Sequence, residues 1–323
     1  MKLCVIIPYF GTFNSYFHLW KQSCGNNRDI DWLLFTDQIL DDLPVNMKYV
    51  YMTFSDMKKR LEDKFDKKAC LNRPYKLCDY KPYYGYIFSE YLTEYDFWGY
   101  CDCDVIFGDI LSFLTDDIFS EYDKLLRTGH LCFVRNKKEI SENFFRYPTY
   151  KTVIHSPVIY GYDESVKGFH LGFAGELLES GYRFYNDSSK IADIDFRHFP
   201  FYIIGNDKTP VSFIYKKGKL YCLKNIDGQN KLEEMMYLHL QKRKMEVKTN
   251  SLDEIIIYPN TIDTLQNTVP DDSFWEKISK ESDVYYSGKA ERKDSIKRDI
   301  LRFLYEPRKI SSIVYRIRRR IKL

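Results

Sequence analysis

Two carboxylates stand one residue apart at the close of an apolar run: Asp96-Phe-Trp-Gly-Tyr-Cys-Asp102-Cys-Asp104-Val-Ile-Phe-Gly108-Asp109. In extended chain the side chains at i and i+2 leave the same face roughly 6 to 7 Å apart, so Asp102 and Asp104 can both address one hard cation. Unpaired at the end of a buried strand, they would carry a large desolvation cost. A divalent ion such as Mg²⁺ or Mn²⁺ removes that cost and keeps coordination positions open for phosphate oxygens. The same short motif also closes strands and caps helices with no metal involved, and Asp109 reads as the cap of a helix that Ile110 begins.

The elements around the pair favour the metal. Tyr84, Ile87, Phe88, Tyr91 and Leu92 recur at helical spacing, and Phe97 to Tyr100 follows as a strand. The carboxylates therefore fall at the carboxyl end of a strand in an α/β unit, where open sheets bind ligands. Upstream, Leu3 to Ile7 is a continuous apolar run, expected of a strand covered on both faces. It ends in Pro8-Tyr9-Phe10-Gly11, where an aromatic ring either stacks on a nucleotide base or packs on the next helix, expected over Tyr16 to Ser23. A second strand, Trp32 to Phe35, ends in Thr36-Asp37; that carboxylate either takes hydrogen bonds from a ribose or base or holds a turn. Met47 to Met52 reads as a third strand and Ser55 to Phe65 as a charged helix. The alternation predicts α/β layers, a mostly parallel sheet flanked by helices. Neither a Gly-x-Gly-x-x-Gly nor a Walker-type loop occurs, which disfavours dinucleotide oxidoreduction and P-loop chemistry.

Further candidates come from loops. Arg73-Pro-Tyr-Lys76-Leu-Cys-Asp79-Tyr-Lys81-Pro82 reads as a Pro-punctuated binding loop in which Lys76 or Lys81 neutralises phosphate or holds a sugar hydroxyl, or as a solvated loop leading into a helix. His130 to Arg135 is a strand, and residues 136 to 170 an irregular insertion carrying the acidic pair Asp163-Glu164, suited to an acceptor sugar, to the chemistry, or to an ordinary turn. Asp193-Ile-Asp195 repeats the aspartate spacing with a weaker apolar lead-in. Phe213 to Tyr215 and Lys219 to Leu223 form a hairpin bent at Lys217-Gly218. His239 closes an apolar stretch just ahead of Lys242-Arg243-Lys244; an imidazole ligand followed by Lys242 suits a metal and the diphosphate it carries, whereas a lone His more commonly packs.

The composition is that of a globular protein, 44% hydrophobic and 29% charged. Its 28 Tyr and 23 Phe exceed the needs of packing and suit sugar-handling sites and wet interfaces. The eight cysteines have no disulfide or zinc spacing and read as reduced and structural. The amino-terminal apolar stretch is too short for a signal peptide or membrane span, so a cytoplasmic location is expected. Charge is asymmetric: residues 289 to 323 hold 13 Lys or Arg against 4 Asp or Glu, a net of +9, leaving −6 for the first 288. There Ile310, Ile313, Val314, Ile317 and Ile321 stripe a basic helix suited to an anionic membrane surface at the inner face of the cytoplasmic membrane; no nucleic-acid recognition fold accompanies it.

Taken together, Asp102-Cys-Asp104, Gly108-Asp109-Ile and His239 with Lys242 resemble nucleotide-sugar glycosyltransferases of the GT-A fold. Tyr-Cys-Asp-Cys-Asp-Val-Ile-Phe-Gly-Asp-Ile is similar to the aspartate segment of the retaining family that includes bacterial lipopolysaccharide galactosyltransferases and glycogenins. Ile-Ile-Pro-Tyr-Phe-Gly, the Lys76–Lys81 loop and Leu-His-Leu-Gln-Lys-Arg-Lys-Met resemble a less characterised bacterial polysaccharide-biosynthesis group. The resemblance spans residues 1 to 245 and implies a Rossmann-like catalytic domain there, with residues 246 to 323 as a helical basic extension. It implies Mn²⁺ or Mg²⁺ on Asp102, Asp104 and His239, Lys242 on the diphosphate of a UDP-linked donor, and a glycan or lipid-linked glycan acceptor of the bacterial surface. That family places His, Gly and Lys around the late site, whereas this chain reads His239-Leu-Gln-Lys242. An inverting transfer would add a carboxylate base, for which Asp163 and Asp195 are candidates. The rival readings are a non-catalytic carbohydrate- or nucleotide-binding protein of the same fold and a nucleotidyltransferase.

Overall fold

The structure, a computed structural model, describes residues 1–164, 172–241, 243–268 and 270–279. In chain order its strands are β1 (Leu3–Tyr9), β2 (Ile30–Thr36), β3 (Met47–Tyr51), β4 (Phe97–Cys101), β5 (Val105–Phe107), β6 (Lys124–Leu125), β7 (Leu131–Arg135), β8 (Phe184–Tyr185), β9 (Ile191–Asp193), β10 (Val211–Lys216), β11 (Lys219–Ile226), β12 (Gln229–Met235), β13 (Tyr237–His239), β14 (Glu246–Val247), β15 (Ile255–Tyr258) and β16 (Thr261–Thr264).

The main sheet has the order β3-β2-β1-β4-β7-β6-β8. Strands β3, β2, β1 and β4 run parallel, and β7 is antiparallel to both neighbours. Along β1, Leu3, Val5 and Ile7 enter one core while Cys4 and Ile6 enter another, so both faces are covered and the apolar run is unbroken. Helix α1 (Phe17–Asn26) covers the first face with Phe17, Trp20 and Cys24; helix α2 (Phe54–Lys64), opened by a capping box at Thr53 and Asp56, covers the second with Met57 and Leu61. The α/β architecture with a mostly parallel sheet flanked by helices is thus present.

A second sheet, β12-β11-β10-β15-β16-β14, packs on a separate core. Its β10–β11 hairpin turns at Lys217-Gly218, both residues at positive φ, as an I′-type bend requires. Asp227-Gly228 makes a second such bend into β12, a strand too polar to show an apolar pattern in the sequence. Residue 245 precedes β14, after three strands of this sheet and before the other three, and β15 returns to pair with β10, Phe213 opposite Ile257. The boundary expected at 245 therefore falls between strands of one layer, and the basic stretch after residue 289 lies outside the described residues. Among the described residues no helix is long and apolar enough to cross a membrane.

The stretch before β4 departs most from expectation. Residues Pro74–Tyr83 form a 3-10 helix, followed by a single α-turn, Tyr84–Ile87, and another 3-10 turn, Ser89–Tyr91, in place of a loop and one long helix. Pro82, inside the stretch, lacks the backbone donor a continuous α-helix needs. Gly85 lets the turn lie on Trp98, whose ring atoms would stand 2.3 Å from a Cβ there. This helical stretch is also buried. The Lys76 ammonium, fully enclosed, donates to Asp79 Oδ2 (2.7 Å) and to the carbonyls of Val153 and Val158 (2.9 and 2.6 Å), while Asp79 accepts the amides of Tyr160 and Tyr162. Lys76 is therefore a staple for residues 158–162 and has no donor left for a phosphate. Lys76→Met leaves Asp79 as an uncompensated buried charge and is expected to lower unfolding free energy by roughly 3 to 5 kcal/mol, read from the urea midpoint. Lys76→Met with Asp79→Leu should recover part of the loss, and an unchanged midpoint in the single variant would refute the staple.

Candidate functional site

Strand order reverses beside β1: the chain moves outward through β2 and β3, then crosses back to set β4 on the other side of β1. Crevices at the carboxyl ends of strands flanking such a switch point are where open α/β sheets take ligands. Asp102 and Asp104 lie there, between β4 and β5. Three consecutive backbone carbonyls in this link are held by distant parts of the chain: Asp102 O accepts Trp20 Nε1 (3.1 Å), Cys103 O accepts Asn14 Nδ2 (2.8 Å), and Asp104 O accepts Leu240 N (2.9 Å). The intervening Cys101 and Cys103 are buried, and burial pushes both thiols up, so they act as core. The carboxylates point the other way and remain about one-third exposed.

A small third sheet brings His239 to the pair. Strand β13 runs antiparallel to β5 and parallel to β9, with His239 opposite both Val105 and Asp193. Its Nε2 lies 3.4 Å from Asp104 Oδ1 and its Nδ1 lies 2.8 Å from Asp193 Oδ1. Burial disfavours the imidazolium, but Asp104 and Asp193 outweigh it and hold the ring up at about 10. Ligand atoms of Asp102, Asp104 and His239 all lie within 4.8 Å of one another, the span of one coordination shell, and two carboxylates with one imidazole make a donor set suited to Mn²⁺. The residues fit a divalent cation.

Lys81, expected to meet phosphate or sugar, is buried and donates to Asp102 Oδ1 (2.6 Å) and Gly129 O (3.1 Å), with Asp163 Oδ2 at 3.6 Å. Burial works against its charge, and Asp102 and Asp163 restore it. Lys81 spends most of its charge on the closer Asp102. Burial therefore prevails at Asp163, reinforced by Glu164, and its carboxyl is pushed up to about 8. Glu164 accepts Gly129 N (2.8 Å), and the turn there fits so closely that a Cβ on Gly129 would stand 2.4 Å from Asp163 Oδ2.

Other expected residues divide. Tyr9, half-buried at the end of β1, stacks on Phe13 (4.4 Å) and donates its hydroxyl to Thr12 O; burial, with Cys103 and Asp104 nearby, pushes the phenol up to about 12. Pro8 pairs with Phe35 within the sheet. Phe10 is a core residue against Phe54, which corrects its reading as a free stacking ring. Asp37 accepts Gly11 N (3.1 Å) and Gln38 Nε2, tying the ends of β1 and β2, the turn role. Asp195 is engaged by Arg197 and stands apart from the cluster. Lys242 lies outside the described residues. Two more residues join the site: Asp193, from the second aspartate pair with the weaker apolar lead-in, and His130, which no pattern in the sequence marks and whose buried ring stacks on His239 at 4.1 Å. Only strand register links them to the cluster, and register is not written in a linear pattern.

Fold and site together define an α/β protein with a carboxylate and imidazole cluster at the switch point of its sheet. The chain belongs to DUF6625, a family of unknown function whose profile matches residues 5–266. No curated protein matches its sequence. Similar solved structures include the galactosyltransferase LgtC in complex with donor and acceptor sugar analogues (11% identity, 60% of this chain and 76% of that one, TM-score 0.34). Others are the glycosyltransferase GlyE of Streptococcus pneumoniae TIGR4 (16%, 58% and 46%, 0.32) and mouse xyloside xylosyltransferase 1 (7%, 60% and 87%, 0.31). These likenesses are distant.

Asp163 gives a pH signature. Its folded-state carboxyl binds a proton up to about pH 8, whereas an unfolded aspartate releases it near pH 4. The folded state thus holds the extra proton between those values, and stability falls as pH rises through them, by at most about 1.4 kcal/mol per unit. Urea unfolding at pH 5, 6.5 and 8 should show this fall in the wild type and a flatter profile in Asp163→Asn; parallel profiles would refute the buried acid.

Proposed function

We propose that the protein is a metal-dependent glycosyltransferase of GT-A type that moves a sugar from a nucleoside diphosphate donor, UDP-linked, to a glycan acceptor. The observation that carries this reading is the convergence of Asp102, Asp104 and His239, from distant parts of the chain, at the switch point of a parallel sheet. Mn²⁺ or Mg²⁺ would be held by these three side chains, and when bound supplies electrostatic stabilisation of the negative charge that grows on the leaving diphosphate.

The chain's own residues then have distinct work. Lys81 fixes one oxygen of Asp102 and so orients the carboxylate. Tyr9 and Phe13 offer a stacked aromatic edge beside the aspartates, suited to the flat face of a base. Asp163, whose carboxyl is pushed up to about 8, is protonated near neutral pH and becomes able to take a proton from an acceptor hydroxyl as pH rises through that value. In an inverting transfer that hydroxyl oxygen attacks the anomeric carbon as the bond to the diphosphate breaks; a retaining transfer needs no such base. Lys242 is assigned to the diphosphate on resemblance alone. The acceptor is proposed to be a lipid-linked or surface glycan reached by a cytoplasmic protein peripheral to the membrane, a reading that rests on the basic residues after 289 and falls if removing residues 307–323 leaves liposome binding unchanged.

A panel of nucleotide sugars incubated with Mn²⁺ should yield a nucleoside diphosphate from one donor, with release abolished by chelator and reduced at least about 100-fold in Asp104→Asn. Donor binding without release or transfer to any acceptor would favour a non-catalytic binding protein, and release of pyrophosphate from a nucleoside triphosphate would favour nucleotidyl transfer.

A further inference from the structure

The imidazole of His239 addresses two carboxylates through its two nitrogens, but the two contacts differ. Nδ1 lies 2.8 Å from Asp193 Oδ1, a full hydrogen bond, while Nε2 lies 3.4 Å from Asp104, a looser approach on the side of the aspartate pair. We propose that Asp193 is the positioning residue of the cation site, accepting a hydrogen bond from Nδ1–H so that Nε2 is the nitrogen presented towards Asp102 and Asp104. The inference rests on the metal-dependent reading above and extends it to a residue outside the ligand set.

Three independent features fix the arrangement. Strands β9 and β13 pair in register with Asp193 directly opposite His239, so the backbone itself sets the distance. Gln241 donates Nε2 to the same Asp193 oxygen at 2.8 Å. It does so from a backbone at φ +52, the left-handed region that a non-glycine residue enters at a cost of about 1 kcal/mol. A turn that tolerates this strain to return an amide to Asp193 acts to hold that carboxylate still. On the other face, His130 stacks on His239 with planes 21° apart, and its own Nδ1 is engaged by the Tyr237 hydroxyl at 3.0 Å, so the ring is clamped against rotation. Carboxylates behind a ligating imidazole set its tautomer and orientation, and their loss typically weakens metal affinity 10- to 100-fold.

Mn²⁺ binding to the full chain, by calorimetry and by electron paramagnetic resonance, with and without UDP, tests the assignment in the wild type, Asp193→Asn and Gln241→Ala. The expected result is one ion per wild-type chain, affinity lower by about 10- to 100-fold in Asp193→Asn and by several-fold in Gln241→Ala. Melting temperatures of the metal-free proteins should stay close together, a separation that a purely structural role would not give. Should Asp193→Asn fail to fold, Gln241→Ala alone decides. Wild-type binding with unchanged affinity in the variants overturns the positioning role and leaves the glycosyltransferase reading standing. Two ions per chain, with only the second lost in Asp193→Asn, overturns it too, since Asp193 would then be a ligand alongside His130. No Mn²⁺ bound by the wild type, with or without UDP, overturns both.

Discussion

Everything in the candidate site depends on how the link between β4 and β5 is anchored. Three successive carbonyls there, from Asp102 to Asp104, are each tied to a different partner: Trp20 and Asn14 from in and before α1, and Leu240 from the end of β13. A three-residue link with its main chain held at every step has no freedom to swing, so its side chains sort by alternation. The thiols turn into the core and the carboxylates turn out. The hydrophobic burial of Cys101, Cys103, Val105 and Phe107 in one cluster drives that sorting. The acidic pair is thereby presented by packing energy contributed elsewhere.

The same packing decides which lysine meets which acid. Lys76 and Lys81 stand five residues apart on one 3-10 helix whose prolines hold it in shape. One points into a carbonyl cage built by residues 153 and 158 and closes it with Asp79. The other reaches Asp102 across the sheet end. The Asp79 staple fixes the amides of Tyr160 and Tyr162, and so sets where Asp163 emerges beside Lys81. A buried ion pair outside the candidate ligand set thus positions an acid at the site.

Much of this was legible in the sequence. The unbroken apolar run of β1, the charged helix α2 and the Lys217-Gly218 bend each carry a local physical rule, and each appears close to its expected bounds. Asp102, Asp104 and His239 were legible because residue type and strand-end position suffice to suggest them. The 3-10 helix was not, since polar residues such as Lys76 and Asp79 look solvated until a tertiary cage receives them. Phe10 misled for the converse reason: a ring at a strand end is equally at home in a core. Asp193 and His130 reach the cluster only through the pairing of β13 with its neighbours, a contact between segments far apart in the chain.

Charge balance gives the cluster its remaining logic. Asp102, Asp104, Asp163, Glu164 and Asp193 gather around Lys81 and the stacked imidazoles of His239 and His130, and burial leaves Asp163 protonated near neutral pH, which lowers the repulsion without removing it. The His239 ring lies between Asp104 and Asp193, and the two carboxylates favour its imidazolium, which offsets part of their charge. An anionic diphosphate entering this crevice would meet carboxylates first and be repelled. On the proposed reading a divalent cation inverts that sign, because it cancels the two aspartates and leaves coordination positions for phosphate oxygens. Cation and donor would then bind as one charge-balanced unit, and the acidity of the crevice would disfavour a nucleoside diphosphate that arrives without its metal.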